Sequence, residues 1–198
     1  MGNLASVHKG LERAGGAVKL TSAPEDIESA AGVVLPGVGA FGQCMGNLRS
    51  LDLEAPVNEA IASGKPFLGI CLGLQVLFDE GEESPGVRGL GVIPGVVRRF
   101  PPGLHVPHMG WNQVEVVGQT PVLAGVRDGD FLYFVHSYYP EPADPSVAAT
   151  HTEYGMTFVS SVCQGNVFAC QFHPEKSQRV GLTLLRNFVG LVEARGAA

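Results

Sequence analysis

Residues 66–79 read PFLGICLGLQVLFD and hold the most apolar stretch of the chain. Residues 66–70 form a continuous apolar run, which is typical of a strand buried on both faces of a sheet. Residues 72–79 carry a helical pattern directly after it. A strand that passes straight into a helix is typical of an α/β sheet, so this stretch predicts the fold class.

Cys71 occupies the joint between that strand and that helix, in the sequence GICLG. The pattern is G-x-nucleophile-x-G, in which Gly69 and Gly73 let neighbouring backbone pass a tight, strained turn. Such a turn projects the thiol from the carboxyl edge of the sheet, where these folds bind ligands. The start of a helix favours a thiolate, and the N–H of Leu72 could donate to an oxyanion. The alternative is a buried structural cysteine, because free Cys is among the most buried residue types.

The rest of the first half of the chain repeats this alternation of strand and helix. Strand patterns occur at 17–20 and 32–35, and helical patterns occur near 41–49 and 55–63. After residue 85 come short strand candidates separated by turns, at 95–100, 113–117, 131–135, 147–151, 157–163 and 166–172. An amphipathic helix at 177–194 closes the chain. We therefore predict an α/β fold with a mostly parallel, doubly wound sheet and an antiparallel extension.

Composition excludes several classes of protein. The chain has 198 residues, of which 45% are hydrophobic, so we expect a single domain over residues 1–198. The formal net charge of −6 argues against a basic nucleic-acid surface. The apolar stretch is shorter than the roughly 20 residues that a membrane-spanning helix needs. We expect neither a nucleic-acid partner nor a membrane partner.

The cysteines and histidines show no metal-ligand pattern. The four cysteines form no C-x-x-C pair and suit neither a zinc site nor a disulfide framework, so we expect a reducing, cytoplasmic location. Of the six histidines, only His105 and His108 have a ligand-like spacing. We expect these two in an irregular loop between prolines, and we expect no metal site.

A second candidate motif is QFHPEK at 171–176, which follows an apolar strand. Pro174 ends the strand, so His173 emerges at a strand end where a base could reach a thiol on a neighbouring strand. Glu175 could accept from the other ring nitrogen and fix the tautomer. Alone, the motif suits a turn histidine with a solvated carboxylate equally well. Together with Cys71 it favours acyl transfer through a thioester.

A third motif, PGVGAF at 36–41, also follows a strand. Glycine-rich loops in this position often bind phosphate, but neither G-x-G-x-x-G nor a Walker pattern is present. A loop that presents backbone N–H groups to an oxyanion or a carboxylate fits as well, and so does an ordinary tight turn.

In this order and spacing, the three motifs resemble those of the class I (triad) glutamine amidotransferases. Within that class the chain is similar to the glutaminase subunits of imidazole glycerol phosphate synthases, of histidine biosynthesis. The supporting segments are LPGVGAFG at 35–42, GICLGLQVLF at 69–78, GLGVIPG at 89–95, VPHMGWN at 106–112, YFVHSYY at 133–139 and QFHPEKS at 171–177. The resemblance covers essentially the whole chain.

The resemblance implies roles for particular residues. Cys71 would be the nucleophile, His173 the general base and acid, and Glu175 its orienter. The residues that would bind glutamine are Gly37, Val38, Gly39, Leu72, Gln75, Ser137 and Tyr138. Trp111 and Lys176 would face a cyclase subunit with a (β/α)₈ barrel, which forms a heterodimer with this subunit and receives the ammonia. No cofactor is implied.

The N-terminus departs from the family pattern. Family members usually begin with a strand that ends in Asp-Tyr-Gly-x-Gly-Asn, whereas this chain starts at Met1-Gly2-Asn3. We expect the natural protein to carry about ten more residues there, one strand plus a turn. Such a strand is typically central in a doubly wound sheet, so its loss would expose strand edges.

Three other functions fit parts of the pattern. The chain could supply ammonia to another synthase, or it could be a cysteine peptidase or chaperone on a related fold. It could also be a non-catalytic subunit that only binds a partner. Gln75 and the His-Pro-Glu motif argue against the peptidase.

Overall fold

The computed structural model describes residues 2–196, with side chains from Leu4 onward. The α-helices are α1 Gly2–Arg13, α2 Pro24–Ser29, α3 Phe41–Ser50, α4 Glu54–Ala62, α5 Leu72–Gln75 and α6 Gln178–Gly196. Short 3₁₀ helices lie at Pro121–Leu123, Pro145–Val147 and Pro174–Lys176. No helix in the described part of the chain is long and apolar enough to span a membrane.

The strands alternate with these helices in the first half and follow one another in the second. They are β1 Val33–Gly37, β2 Phe67–Cys71, β3 Phe78–Gly81, β4 Ile93–Arg99, β5 His108–Gln113, β6 Glu115–Val116, β7 Phe131–His136, β8 Tyr138–Pro142, β9 Ala148–Glu153, β10 Thr157–Gln164 and β11 Val167–Cys170. The change of pattern near residue 85 therefore marks the change from alternating to consecutive strands.

The largest sheet has the strand order β1-β2-β11-β10-β9-β6. β1 and β11 pair in parallel with β2, and the remaining neighbours are antiparallel. Two smaller sheets have the orders β3-β4-β8 and β5-β7. The α/β fold class and the antiparallel extension are confirmed. The sheets are mixed: the parallel pairs are β1–β2 and β2–β11 in the largest sheet and β3–β4 in a smaller one.

β2 is buried on both faces, as its apolar run predicts. Leu68 and Ile70 pack into a core shared with α1 and α6, while Phe67 packs on the opposite face with α3 and α4. Alternate side chains of a strand point to opposite faces, so one strand contributes to both cores. This central position holds the residue that ends β2, Cys71, at the carboxyl edge of the parallel strands.

Two of the predicted elements are wrong. The helix expected over 72–79 ends at Gln75 because the next carbonyls pair elsewhere: Val76 O accepts from Leu90 N at 2.7 Å and Leu77 O from Val92 N at 2.9 Å. The strand expected at 17–20 does not form, and none of the described strands pairs with these residues.

The sequence analysis missed three strands: β3, which begins in the segment expected to be helical, β5, of which only Gln113 falls in a strand candidate, and β8. β8 contains Pro140 and Pro142, and prolines lower the strand propensity of a segment. They are tolerated because β8 pairs on one side only, with β4, at the edge of its sheet.

Candidate active site

Cys71 ends β2 with φ 55° and ψ −107°, a backbone conformation that residues other than glycine rarely adopt. The glycines on either side are needed for close contacts. A Cβ at Gly69 would lie 2.7 Å from the carbonyl oxygen of Gly73, and a Cβ at Gly73 would overlap the carbonyl oxygen of Leu35. The tight, strained turn predicted from GICLG is present.

His173 lies directly after the neighbouring strand β11 and is 1% exposed. Its backbone N–H donates to the carbonyl of Tyr133 at 2.8 Å, which ties it to β7. On one side, its side chain interacts with the Cys71 thiol, and this interaction raises the pKa of His173. On the other side, Nδ1 of His173 lies 2.8 Å from Oε1 of Glu175. Strand β11 is parallel to β2, so both strands deliver their last residues to the same edge.

The electrostatics of this group favour an imidazolium at His173. Burial alone lowers the pKa of His173, but the hydrogen bonds and negative charges of Cys71 and Glu175 outweigh it and raise the pKa to about 9. Glu175 is fully buried at its side chain, so water screens its charge little. An adjacent imidazolium favours the thiolate, which is the nucleophilic form of cysteine.

Gln75 and Gln171 extend the group beyond the three residues. Nε2 of Gln75 donates to the carbonyl of Tyr138 at 3.2 Å and to Oε1 of Gln171 at 3.0 Å. Nε2 of Gln171 in turn donates to Sγ of Cys71 at 3.6 Å. The sequence analysis missed Gln171, although a signal existed. In an extended chain, Gln171 and His173 are two residues apart and so share a face.

The Pro36–Gly39 loop lies beside the nucleophile because β1 and β2 pair in register. Gly37 is the Cα partner of Cys71, and a Cβ at Gly37 would lie 2.8 Å from Cβ of Leu72. Gly39 has φ +102°, which favours glycine, and Val38 is 57% exposed. The loop, the nucleophile and the first residue of α5 are therefore brought together.

The sequence matches the family described as "Glutamine amidotransferase class-I" over residues 3–191. A curated relative from Gloeothece citriformis, "Imidazole glycerol phosphate synthase subunit HisH", is 53% identical and covers 100% of this chain and 95% of the relative. A relative with the same description from Moorella thermoacetica is 50% identical, covering 100% and 94%. The chain belongs to the class I glutamine amidotransferases, in the family of these HisH subunits. The predicted family is confirmed.

Solved structures agree on the fold of this amidotransferase. A structure described as "Crystal structure of glutamine amidotransferase" superposes with a TM-score of 0.75 at 23% identity, covering 96% of this chain and 93% of the other. A glutamine amidotransferase from Thermotoga maritima gives a TM-score of 0.63 at 18% identity, covering 92% and 84%.

The resemblance also assigns Tyr138 and Ser137 to glutamine binding, and these two residues differ in their contacts with this group. Tyr138 contributes its backbone carbonyl to Gln75, while its ring packs in the core shared with α3 and α4. The carbonyl of Ser137 accepts from the N–H of Phe100 at 3.1 Å. Within the described residues, no hydrogen bond joins the Ser137 side chain to Cys71 or Gln75.

Trp111 and Lys176 both contact one residue of the amidotransferase, Tyr133. The ring centroids of Trp111 and Tyr133 are 6.0 Å apart at 75°, and Nζ of Lys176 lies 5.6 Å from the Tyr133 centroid. Trp111 is 45% exposed. A cavity of about 340 Å³ lies beside it, lined by Trp111, Phe131, Ser177, Gln178, Arg179 and Val180. The sequence analysis missed Tyr133. Its ring belongs to this exposed aromatic surface, and its backbone carbonyl accepts from the N–H of His173.

The expected loop position of His108 is wrong. His108 begins β5, is 4% exposed and lies with Nδ1 3.0 Å from Nε2 of His136 on β7. The register of β5 and β7 places these two residues directly opposite each other. Within the described residues, no group of three or more His, Cys, Asp or Glu side chains could hold a metal ion.

Proposed function

We propose that this amidotransferase hydrolyses the side-chain amide of glutamine to glutamate and ammonia, and passes the ammonia to a cyclase subunit. One observation carries the proposal. Cys71 and Glu175 both interact with the buried side chain of His173 at the edge of the parallel strands, and the nucleophile sits in a strained turn. Nucleophile, base and orienter in this order are the requirements for acyl transfer.

In the first half-reaction, the Cys71 thiolate attacks the amide carbon and a carbon–sulfur bond forms. The N–H of Leu72 and the N–H groups of the Pro36–Gly39 loop hold the resulting oxyanion. The imidazolium of His173 gives its proton to the leaving nitrogen. The carbon–nitrogen bond then breaks, ammonia leaves and a γ-glutamyl thioester remains.

In the second half-reaction, neutral His173 takes a proton from water as the oxygen adds to the thioester carbon. The carbon–sulfur bond breaks, and glutamate leaves as its γ-carboxylic acid, which then loses its proton to bulk water. The thiolate and the imidazolium are both restored, because the proton taken from water stays on His173. Glu175 keeps the ring in the orientation that serves both steps.

We assign Gln75, one helical turn after the nucleophile, to binding of the substrate. Both N–H groups of its amide are donated to Tyr138 and Gln171, so the amide can offer only its oxygen to glutamine. An amide whose donors are already used discriminates in favour of a ligand that donates.

The relatives' description as synthase subunits implies a partner subunit. We assign the cyclase, with its (β/α)₈ barrel, to the surface formed by Trp111, Tyr133 and Lys176. Aromatic side chains are enriched at the centres of interfaces. Tyr133 also holds His173 through its backbone carbonyl, so this surface is close to the catalytic group. We place the pair in the cytoplasm, where a catalytic thiol stays reduced; all four cysteines are free thiols.

Glutamate release tests the proposal. The chain is assayed alone, with the cyclase, and with the cyclase and its aminated ribulosyl nucleotide substrate. We expect weak release alone, a steep rise in the full complex, and formation of imidazole glycerol phosphate from glutamine. Cys71→Ala should abolish release in every case.

Cys163→Ala is the matched control, because Cys163 is also half-buried but lies on β10, away from the catalytic group. It should keep the activity of the unaltered protein. Glutamate release by Cys71→Ala would falsify the mechanism. A Cys71→Ala protein that binds the cyclase normally would separate partner binding from catalysis.

A further inference from the structure

The two buried histidines on β5 and β7 are unused by the mechanism above. We propose that His108 and His136 are positioning residues, a pair of neutral imidazoles that holds the Tyr138 carbonyl, and through it Gln75, in the orientation that binds glutamine. The inference rests on the proposed function in one respect, since it takes Gln75 to contact the substrate.

The contact between His136 and the Tyr138 carbonyl determines which ring nitrogens of the pair carry protons. Nδ1 of His136 lies 2.7 Å from the carbonyl oxygen of Tyr138, and a carbonyl can only accept. Nδ1 of His136 therefore carries the proton, and Nε2 of a neutral ring is left as an acceptor. Nδ1 of His108, 3.0 Å away, must then be the donor to it.

The contact between Asn112 and His108 requires the same arrangement of protons. Oδ1 of Asn112 accepts from the N–H of Gln113 at 2.8 Å, and Nδ2 donates to the carbonyl of Glu153 at 2.8 Å. These two bonds fix which end of the amide is which. Nδ2 of Asn112 also lies 3.2 Å from Nε2 of His108, so that nitrogen accepts. Backbone groups at both ends thus select the Nδ1–H tautomer of both rings.

The surroundings keep both rings uncharged. His108 is stacked against Phe134 at 4.9 Å and against Tyr154 at 4.1 Å between ring centroids. His136 lies 5.3 Å from Phe100. Burial lowers the pKa of His108 to about 4 and that of His136 to about 3. A protonated His136 would lose the lone pair that accepts from His108, so the chain of bonds requires neutral rings.

The carbonyl at the end of the chain is shared with the catalytic group. Tyr138 O accepts from His136 and also from Nε2 of Gln75, which in turn donates to Gln171 and so reaches the Cys71 thiol. A hydrogen-bonded carbonyl that accepts from two donors fixes the position of both. Without the bond from His136, the Tyr138 peptide can rotate. Its carbonyl then no longer fixes the orientation of the Gln75 amide.

The first test reads the tautomers directly. Nitrogen-15 NMR of the full chain, labelled at histidine, distinguishes protonated from bare ring nitrogens. We expect His108 and His136 to be neutral Nδ1–H tautomers at neutral pH, assigned by the signals that His108→Asn and His136→Asn remove. An Nε2–H tautomer or an imidazolium at either residue overturns the proposal.

The second test uses a matched pair of amide substitutions. His136→Asn places an amide nitrogen near Nδ1 and keeps the donor to Tyr138, whereas His136→Gln places its amide near Nε2 and loses that donor. With the cyclase and nucleotide present, we expect His136→Gln to raise KM for glutamine about tenfold, the effect of one lost hydrogen bond. Its kcat should change far less. His136→Asn should restore KM to within about twofold of the unaltered protein, well below the effect of one lost bond.

Equal changes in the two variants, or a fall in kcat without a change in KM, would show a merely structural role and overturn the proposal. Should both variants fail to fold, Asn112→Asp decides. A carboxylate at this half-buried rim position cannot donate to His108, so we expect His108 to switch to the Nε2–H tautomer and KM to rise. Unchanged KM despite the switch would contradict the proposal. Absence of glutamate release in the unaltered complex would instead reject the proposed function, and the tautomers would still be read independently.

Discussion

Oε1 of Glu175 lies 2.8 Å from Nδ1 of His173 although the two residues are separated only by Pro174. The short 3₁₀ turn Pro174–Lys176 folds the carboxylate back onto the ring. Both side chains are almost fully buried, with exposures of 0% and 2%, so the carboxylate acts on the ring through little water. Its effect on proton affinity is therefore open to measurement.

Glu175→Gln should lower the pKa of His173. Burial lowers this pKa, and the opposing contributions of Cys71 and Glu175 raise it to about 9. The substitution removes one of those contributions while keeping the shape of the side chain. NMR titration of the His173 ring measures the change, and the alkaline limb of glutamate release should move to lower pH with it. Glu25→Gln, in the exposed first turn of α2, is the control and should leave the titration unchanged.

The same shift makes stability depend on pH. A pKa raised in the folded state means that folding favours the protonated ring. That contribution is complete below the ordinary pKa of 6.5 and is lost as pH rises through about 9. The free energy of unfolding should therefore fall between these values, and less steeply in Glu175→Gln. Urea unfolding at a series of pH values gives the two slopes, and equal slopes would contradict the assignment.

Alkylation should distinguish Cys71 from Cys44. Both thiols are half-buried, but Cys71 interacts with the His173 imidazole, whereas burial raises the pKa of Cys44 to about 11. Iodoacetamide reacts with thiolates, so at neutral pH we expect it to modify Cys71 first. Peptide mass spectrometry measures the two rates. His173→Gln should slow the reaction at Cys71 and leave that at Cys44 unchanged.

Gly73→Ala should destabilise the protein and remove its activity. A Cβ at Gly73 would overlap the carbonyl oxygen of Leu35, which belongs to the strand beside β2. Because backbone must move, we expect a loss of about 2–3 kcal/mol in the free energy of unfolding. Gly46→Ala is the matched control: a Cβ there meets no atom within 4 Å, and α3 should gain up to about 1 kcal/mol from the better helix former.

The local motifs were predictable because they depend on residues close in sequence. GICLG required a strained turn between strand and helix, and the φ of 55° at Cys71 is that turn. The His-Pro-Glu spacing likewise predicted the contact between His173 and Glu175. Each of the two patterns predicts a local backbone geometry that few other sequences adopt.

The contacts of Gln171 and His108 were not predictable in the same way. Gln171 meets Gln75 across 96 residues of sequence, and His108 meets His136 across 28. Neither pairing follows from a local pattern, since each depends on strand order and register. The length of α5 was wrong for the same reason, because its continuation pairs with residues 90–93.

Ser177→Ala should loosen the catalytic histidine. Oγ of Ser177 accepts from the N–H of Tyr133 at 2.9 Å and donates to the carbonyl of His173 at 2.6 Å. Its removal leaves a half-buried N–H without this acceptor, at a cost of about 1–3 kcal/mol. A small displacement of His173 should lower kcat by about 10- to 100-fold. Ser50→Ala removes an exposed hydroxyl that donates to Asn47 and should change neither quantity.

Trp111→Ala should weaken binding of the cyclase without unfolding the chain. The indole is 45% exposed and packs against Tyr133, so its loss uncovers little core. An aromatic residue at the centre of an interface contributes about 2 kcal/mol or more, which corresponds to about a 30-fold weaker Kd. Titration calorimetry with the cyclase gives the affinity, and urea unfolding should show a change below about 1 kcal/mol.

Leu51→Ala is the matched control for the Trp111 surface. Leu51 is a large apolar residue of similar exposure, 49%, but it caps α3, which packs on the opposite face of the main sheet from α1 and α6. Its substitution should leave Kd unchanged if the cyclase binds at Trp111. A loss of affinity in Leu51→Ala with none in Trp111→Ala would move the interface to the α3 side. Tyr133 would then have no role in linking the partner to His173.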